Sequence, residues 1–405
     1  MSTSAKMNIP ITKLYLGEEE AEAVREVLKS GWLVQGDKVE EFENMVKAKV
    51  GTKYAIACGN CTEALHMAAR ALGMGSGGKV AVPAYTFVST PNTAEYVGGR
   101  VVFVDIDLET FNIDADALCR HHRGSDYVSA AIPVHLFGLC ANMTKIMEWA
   151  KTEKINIIED AACSLGASCP EGMAGSIGDL GCFSFHPRKS VTTGEGGMMT
   201  TNRDDLARKV HALRDFGFEI TDIERHRSGQ TALPQVEMLG YNFRLTNVQG
   251  AIGVEQMKKY EYIVGERAKK AEIYNRELAG LDWLRTPVVP RGYAHTYQSY
   301  CLLVGGSNYQ NRSGSAKDYA QTYIDRWSGP KSRLVALFKD KGIAIRGGTH
   351  ACHMLPYYAQ KYGLKPLDFP NTAIADALLV TIPLFASITD DEQQYIIDAI
   401  KEVRV

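Results

Sequence analysis

Long apolar runs are missing from this chain. With no stretch of about 18 consecutive apolar residues, a membrane-spanning helix is not expected. The opening Met1-Ser2-Thr3-Ser4-Ala5-Lys6-Met7 is too polar for a signal peptide. A charge excess is missing as well: 45 Lys and Arg stand against 47 Asp and Glu, a net charge of −2. That balance gives no electrostatic footprint for nucleic acid or for an anionic membrane. No internal repeat is visible. The cysteines lack a disulfide pattern, because the nine of them are odd in number and scattered at 58, 61, 119, 140, 163, 169, 182, 301 and 352, which suits a reducing cytoplasm. The C-x-x-C at Cys58-Gly59-Asn60-Cys61 has no second ligand pair at similar spacing, so neither Cys352-His353 nor any other group makes a metal site expected here. Gly73-Met74-Gly75-Ser76-Gly77-Gly78 spells G-x-G-x-x-G, but it follows a helical stretch and precedes a strand-like one. A dinucleotide fingerprint requires the reverse.

A lysine presented by a strand-ending turn is present. Gly181-Cys182-Phe183-Ser184-Phe185-His186-Pro187-Arg188-Lys189 is an apolar strand broken at a proline, and Thr192-Thr193-Gly194-Glu195-Gly196-Gly197 follows. Lysine is the usual partner in a Schiff base, since its amine can lose its charge when desolvated. Taken alone, Lys189 also reads as a solvated loop lysine. Its companion is Asp160, at the end of the buried run Ile155-Asn156-Ile157-Ile158-Glu159-Asp160. Ligands of an open parallel sheet sit beyond the carboxyl ends of its strands, and a carboxylate there can keep a pyridine nitrogen protonated. A helix N-cap is the plain alternative for Asp160. A third piece, Gly59-Asn60-Cys61-Thr62, lies between a strand-like 54–58 and a helix-forming 63–72. Its amides would then point from a helix N-terminus, a natural phosphate seat, with the Thr62 and Ser184 hydroxyls in support. The alternative is again an ordinary cap.

Periodicity sets the organisation. Strand-like runs at 54–58, 80–83, 101–105, 130–135, 155–160, 180–184 and 197–201 alternate with helical stretches, which argues a mainly parallel α/β sheet. A long helical pattern starts in 245–260, and runs at 299–304, 343–346 and 379–383 suggest a smaller α+β unit. A polar stretch between 305 and 333 reads as a surface insertion in preference to a substrate lid.

These fragments together resemble one family. Ser30-Gly31-Trp32 with Gln35-Gly36, Gly59-Asn60-Cys61-Thr62-Glu63-Ala64-Leu65, Pro83-Ala84-Tyr85-Thr86-Phe87 and Pro133-Val134-His135-Leu136-Phe137-Gly138 are its first half. Glu159-Asp160-Ala161-Ala162, Ser184-Phe185-His186-Pro187-Arg188-Lys189, Thr193-Gly194-Glu195-Gly196-Gly197 and Leu239-Gly240-Tyr241-Asn242-Phe243-Arg244-Leu245-Thr246 complete it. In this order they resemble, almost end to end, the DegT-type sugar aminotransferases, enzymes dependent on pyridoxal 5′-phosphate (PLP).

The resemblance implies an α/β fold, PLP-dependent transferase fold type I. Residues 1–260 would form a large PLP-binding domain with an N-terminal arm, and 261–405 a small C-terminal α+β domain. Lys189 would form the Schiff base and act as general base, and Asp160 would pair with the pyridinium nitrogen. Phe87 would stack on the cofactor ring, and Asn60, Cys61, Thr62 and Ser184 would hold the phosphate. Asn242 would reach the phosphate of a neighbouring subunit's cofactor, making a homodimer with shared sites. Trp32, His186, Arg188, His350 and His353 would lie on the substrate side, where loop packing is the alternative for the last two. Two positions depart from the family. Cys61 stands where glycine is usual. Cys163 replaces a common glutamine near the cofactor O3′ and would be the cofactor contact there, although a thiol is the weaker hydrogen-bonding group.

The activity implied is amino transfer from glutamate or glutamine to a keto-sugar, nucleotide-linked in the leading reading. A keto-octulosonate or cyclitol ketone is the alternative acceptor. A sugar 3-dehydratase would carry histidine where this chain keeps Lys189. A PLP-binding sensor without turnover would be expected to carry a DNA-binding segment, and none is seen.

Overall fold

The computed structural model describes residues 7–120, 127–218, 235–306 and 315–405. Its centre is a seven-stranded sheet. The strands are β1 (Tyr54–Cys58), β2 (Lys79–Pro83), β3 (Arg100–Val104), β4 (Ala130–Ala131), β5 (Asn156–Asp160), β6 (Leu180–Ser184) and β7 (Gly197–Thr201). They lie in the order β1-β7-β6-β5-β4-β2-β3. Only β7 runs against its neighbours; β6, β5, β4, β2 and β3 pair in parallel.

Strand alternation divides the core. Side chains of successive strand residues point to opposite faces, so Ala55 and Ala57 join one apolar cluster while Ile56 and Cys58 join another. The first cluster takes in Val39, Phe42 and Val46 of helix Asp37–Val50, with Ile146 and Trp149 of helix Met143–Glu153. The second takes in Leu65 and Ala68 of helix Cys61–Ala71 and Leu206 and Val210 of helix Asp204–Arg214. Helices therefore cover both faces, as a parallel sheet with buried strands requires.

A second, antiparallel sheet is formed by β8 (Leu284–Arg285), β9 (Tyr300–Val304) and β10 (Leu379–Ile382). Helices Tyr260–Leu278, Ala316–Lys341 and Asp390–Lys401 pack with it around a cluster running from Ala271 to Ile400. Ile9 belongs to that cluster as well, since its N–H donates to the Gly342 carbonyl and its carbonyl accepts from Ala344.

Three strand and loop expectations change. The run at 130–135 leaves the ladder after Ala131: Pro133 has no N–H to donate, and Val134 keeps one isolated bridge to Asp160. The run at 343–346 is no strand, because Ile343 bridges only Ile9 and Arg346 only Thr381. Of the polar stretch at 305–333, residues 307–314 lie outside the described residues, and its later part is helix. Ser315 caps that helix by accepting the Asp318 N–H at 3.2 Å.

Candidate active site

Three chain segments meet at the carboxyl end of β5 and β6. Asp160 closes β5, Ser184 closes β6 with Lys189 five residues on, and helix Cys61–Ala71 starts just past β1. Glycine makes the junction possible. A Cβ on Gly197, the first residue of β7, would lie 2.3 Å from the Asn60 carbonyl carbon and 2.7 Å from the Cys61 nitrogen. Only a residue without a side chain lets β7 pass this close beneath the turn.

The turn is capped by its own residues. The Asn60 side chain accepts the Glu63 N–H at 3.0 Å, and the Gly59 N–H donates to Glu63 Oε2 at 2.8 Å. The amides of Cys61 and Thr62 have no acceptor among the described residues. They are two of the orphan donors that a helix start leaves for a ligand. The cap and the phosphate-seat readings of Asn60 thus coexist. Thr62 Oγ1 lies 2.8 Å from Ser89 Oγ, which adds hydroxyls to the amides, and half-buried Ser184 accepts the His186 N–H at 3.4 Å.

Two adjacent carboxylates take opposite roles. Glu159 faces inward and is fully buried. It accepts N–H bonds from Gly175, Ile177 and Gly178. His135 Nδ1 accepts the Ala141 N–H at 3.1 Å, so its Nε2 carries the proton and donates to Glu159 at 2.8 Å. Asp160 faces the site with 5 % of its surface exposed. Its Oδ2 accepts from Thr90 Oγ1 at 2.7 Å and its Oδ1 from the Ala162 N–H at 3.2 Å. Burial pushes the Asp160 carboxyl up; Thr90, the Ala162 N–H, Lys189 and His135 offset this only in part. A buried carboxylate of this kind is completed by a cationic partner, which a protonated pyridine would supply.

Lys189 is held by its own turn, with its N–H donating to the His186 carbonyl at 2.8 Å. Its Nζ meets Cys163 Sγ at 3.2 Å. Burial opposes its charge, and Cys163 and Asp160 on the opposing side help to hold the amine above the ordinary lysine value. Cys163 thus stands on the lysine amine. The Cys61 thiol is pushed well up by burial and stays neutral. Phe87, 58 % exposed, presents its ring edge to exposed His350 at 5.8 Å. An amine, a buried carboxylate, free amides with hydroxyls and a bare aromatic ring together fit PLP.

The remaining residues divide. His186 Nδ1 accepts the Arg188 N–H at 3.2 Å, and burial lowers the His186 pKa. Exposed Arg188 lines a small cavity with Thr12, Ser299 and Arg346, whose Nε is buried without a partner. Trp32 turns back on its own segment, its Nε1 donating to the Gln35 carbonyl at 3.1 Å. It is tied to the site through helix Asn247–Lys258: Asn247 donates to the Trp32 carbonyl and Gln249 to that of Glu195. Tyr241 and Phe243 stack at 4.7 Å and anchor on His66, leaving Asn242 between them exposed, with its Oδ1 accepting from Arg244.

His353 is a correction. Its ring is fully buried against Phe369, with Nε2 at 3.0 Å from the Pro366 carbonyl, so it offers no surface to a substrate. The sequence gives little sign of Thr90 and Arg346; Thr90, four residues past Thr86 and bonded to it at 2.9 Å, leaves only a Thr-x-x-x-Thr spacing as a signal.

Comparison with known proteins agrees with this geometry. The model of the DegT/DnrJ/EryC1/StrS aminotransferase family matches residues 14–401. A GDP-perosamine synthase of Caulobacter vibrioides is 33 % identical over 392 residues, covering 96 % of each chain. The spore coat polysaccharide biosynthesis protein SpsC of Bacillus subtilis is 32 % identical over 397 residues, 98 % of this chain and 97 % of that one. Among solved structures, an aminotransferase from Psychrobacter cryohalolentis superposes with a TM-score of 0.85 at 26 % identity, covering 97 % of this chain and 98 % of the other. The PLP form of Spr1654 from Streptococcus pneumoniae shares the fold with a TM-score of 0.85 at 22 % identity, over 98 % of this chain and all of that one. The chain belongs to the DegT/DnrJ/EryC1/StrS aminotransferase family, and it is a sugar aminotransferase with PLP as its cofactor.

Proposed function

We propose that this protein moves an amino group from glutamate or glutamine to a nucleotide-linked keto-sugar. The observation that carries the reading is the seating of Lys189 and buried Asp160 at one strand end beside the unfilled amides of Cys61 and Thr62. The name of the Caulobacter relative, a GDP-perosamine synthase, supports the nucleotide link. When bound, PLP supplies an electron sink for the carbon that carries the amine.

The protein's own groups do the rest. Asp160, with Thr90 on its Oδ2, keeps the ring nitrogen protonated. Lys189 shuttles the proton at the amine-bearing carbon as general base and acid. Asn60, Cys61, Thr62 and Ser184 seat the phosphate, Phe87 covers the ring, and Cys163 stands beside the lysine. Arg188 and Arg346 make no ion pair among the described residues, and they flank one cavity next to Lys189. An amino donor with a carboxylate suits such a pair. Trp32, His186 and His350 are assigned to the substrate side. Asn242 completes the phosphate seat of a partner in a homodimer, and residues 261–405 form the small domain. All nine cysteines are free, in keeping with a cytoplasmic setting.

The test loads the protein with the pyridoxamine form of the cofactor and offers nucleotide-linked keto-deoxysugars, free keto-sugar acids and cyclitol ketones in parallel. Return of the pyridoxal absorbance is expected with the nucleotide-linked set. Return only with a free acid or a cyclitol ketone overturns the acceptor, and return with none overturns the activity.

A further inference from the structure

We propose that Cys163 is a positioning residue for Lys189: its sulfur holds the amine whenever the amine is not bonded to the cofactor, and so fixes where it waits. The proposal rests on the role given to Lys189 above. Cys163 Sγ, at 3.2 Å, is the only hydrogen-bond partner of Lys189 Nζ among the described residues.

The sulfur is rigidly placed. The turn after Asp160 is pinned by the Ala161 N–H on the Cys182 carbonyl at 2.9 Å and the Ser164 N–H on the Ala161 carbonyl at 2.9 Å. The Ala162 N–H adds a bond to Asp160, and Ser164 Oγ donates to the His135 carbonyl. Lys189 is equally confined, because Gln298 donates to the carbonyl of Arg188 at 2.6 Å. Side-chain length then decides the partner. A glutamine at 163 would carry its amide two bonds further out than the thiol, whose sulfur stops at the amine.

The surroundings make this contact count. Asp160 faces the amine from β5, Cys61 from helix Cys61–Ala71 and Cys163 from the turn. Lys13 and Tyr15 from the N-terminal arm and Arg267 from helix Tyr260–Leu278 line the cavity behind it. His186 and Arg188 belong to its own turn. Burial favours the neutral amine, and among the groups that oppose it Cys163, the one in hydrogen-bond contact, comes first. Removing the sulfur therefore moves the proton affinity of the amine down.

The experiment uses cofactor-free protein. Lysine acetylation by trace acetic anhydride is followed across pH, and the peptide carrying Lys189 is quantified by mass spectrometry against an exposed lysine. The labelling midpoint of Lys189 is expected to move to lower pH in Cys163→Ala, with that of the reference lysine unchanged. If the alanine variant does not fold, Cys163→Ser is nearly the same size but lacks the sulfur and its longer reach to the amine at 3.2 Å, and its midpoint is expected to move the same way. An unchanged midpoint in either folded variant overturns the proposal. Borohydride fixation of the cofactor, with peptide mapping, is run alongside. A cofactor found on another lysine defeats the role of Lys189, while the acetylation midpoint still reads the contact by itself.

Discussion

In the proposed function Lys189 is both the cofactor's attachment point and the proton carrier, so no neighbour could replace it. Lys189→Ala is expected to abolish turnover and leave no borohydride-fixed cofactor on the peptide. Asp160→Asn is expected to retain cofactor and lose about 100-fold or more in single-turnover rate, because an amide cannot hold the ring nitrogen protonated. The same substitution has an opposite effect on stability. Burial raises the Asp160 pKa in the folded protein, so the folded state holds this proton to higher pH than the unfolded chain does. The stability contribution is complete below the unfolded value of about 3.9 and is lost as pH rises through the folded value. Cofactor-free Asp160→Asn should therefore melt above the parent at pH 7–8, with the gap closing as the pH is lowered; a gap that widens towards acid refutes the assignment. Site residues held at a cost to stability are a recurrent trade-off.

Among the elements, the junction of β7 with the start of helix Cys61–Ala71 is the tightest part of the site. A methyl on Gly197 would overlap the Asn60 carbonyl, so Gly197→Ala must push the turn away from β7. Overpacking of this kind costs about 1–3 kcal/mol in stability. With the phosphate on these amides, as proposed, the loss of one contact is expected to weaken cofactor binding by about tenfold or more. Thermal melts and a cofactor titration check both, and wild-type affinity in the variant would show that these amides are not the seat. The element pattern was legible because it is local: the runs at 54–58, 180–184 and 197–201 match β1, β6 and β7 in full. The run at 343–346 was misread because a single strand-like stretch does not reveal whether a partner lies alongside, and here only isolated bridges form.

For the whole molecule, the open question is whether one chain makes a complete site. Stacked Tyr241 and Phe243 hold Asn242 outward, yet the Phe243 carbonyl accepts the Gly59 N–H of the same chain. Mixing inactive Lys189→Ala with inactive Asn242→Asp separates the two arrangements. With shared sites, a mixed dimer has one site with both residues intact and regains activity up to about a quarter of the parent's per site in a statistical mixture. With separate sites every centre keeps a defect, and confirmed subunit exchange restores nothing.

The sequence by itself determined the alternation of strands and helices and the motif order that marks the family, because each depends on neighbours within a few residues. It also named Lys189 and Asp160 as the chemical pair. Only the tertiary structure decided that Glu159 turns inward to His135 while Asp160 faces Thr90, a contact 70 residues apart in the chain. The same holds for His353, buried against Phe369, for Cys163, placed on the lysine amine, and for Arg346, brought beside Arg188. Which side of a turn faces a site is set by strands and helices far along the chain, and no local spacing carries that information.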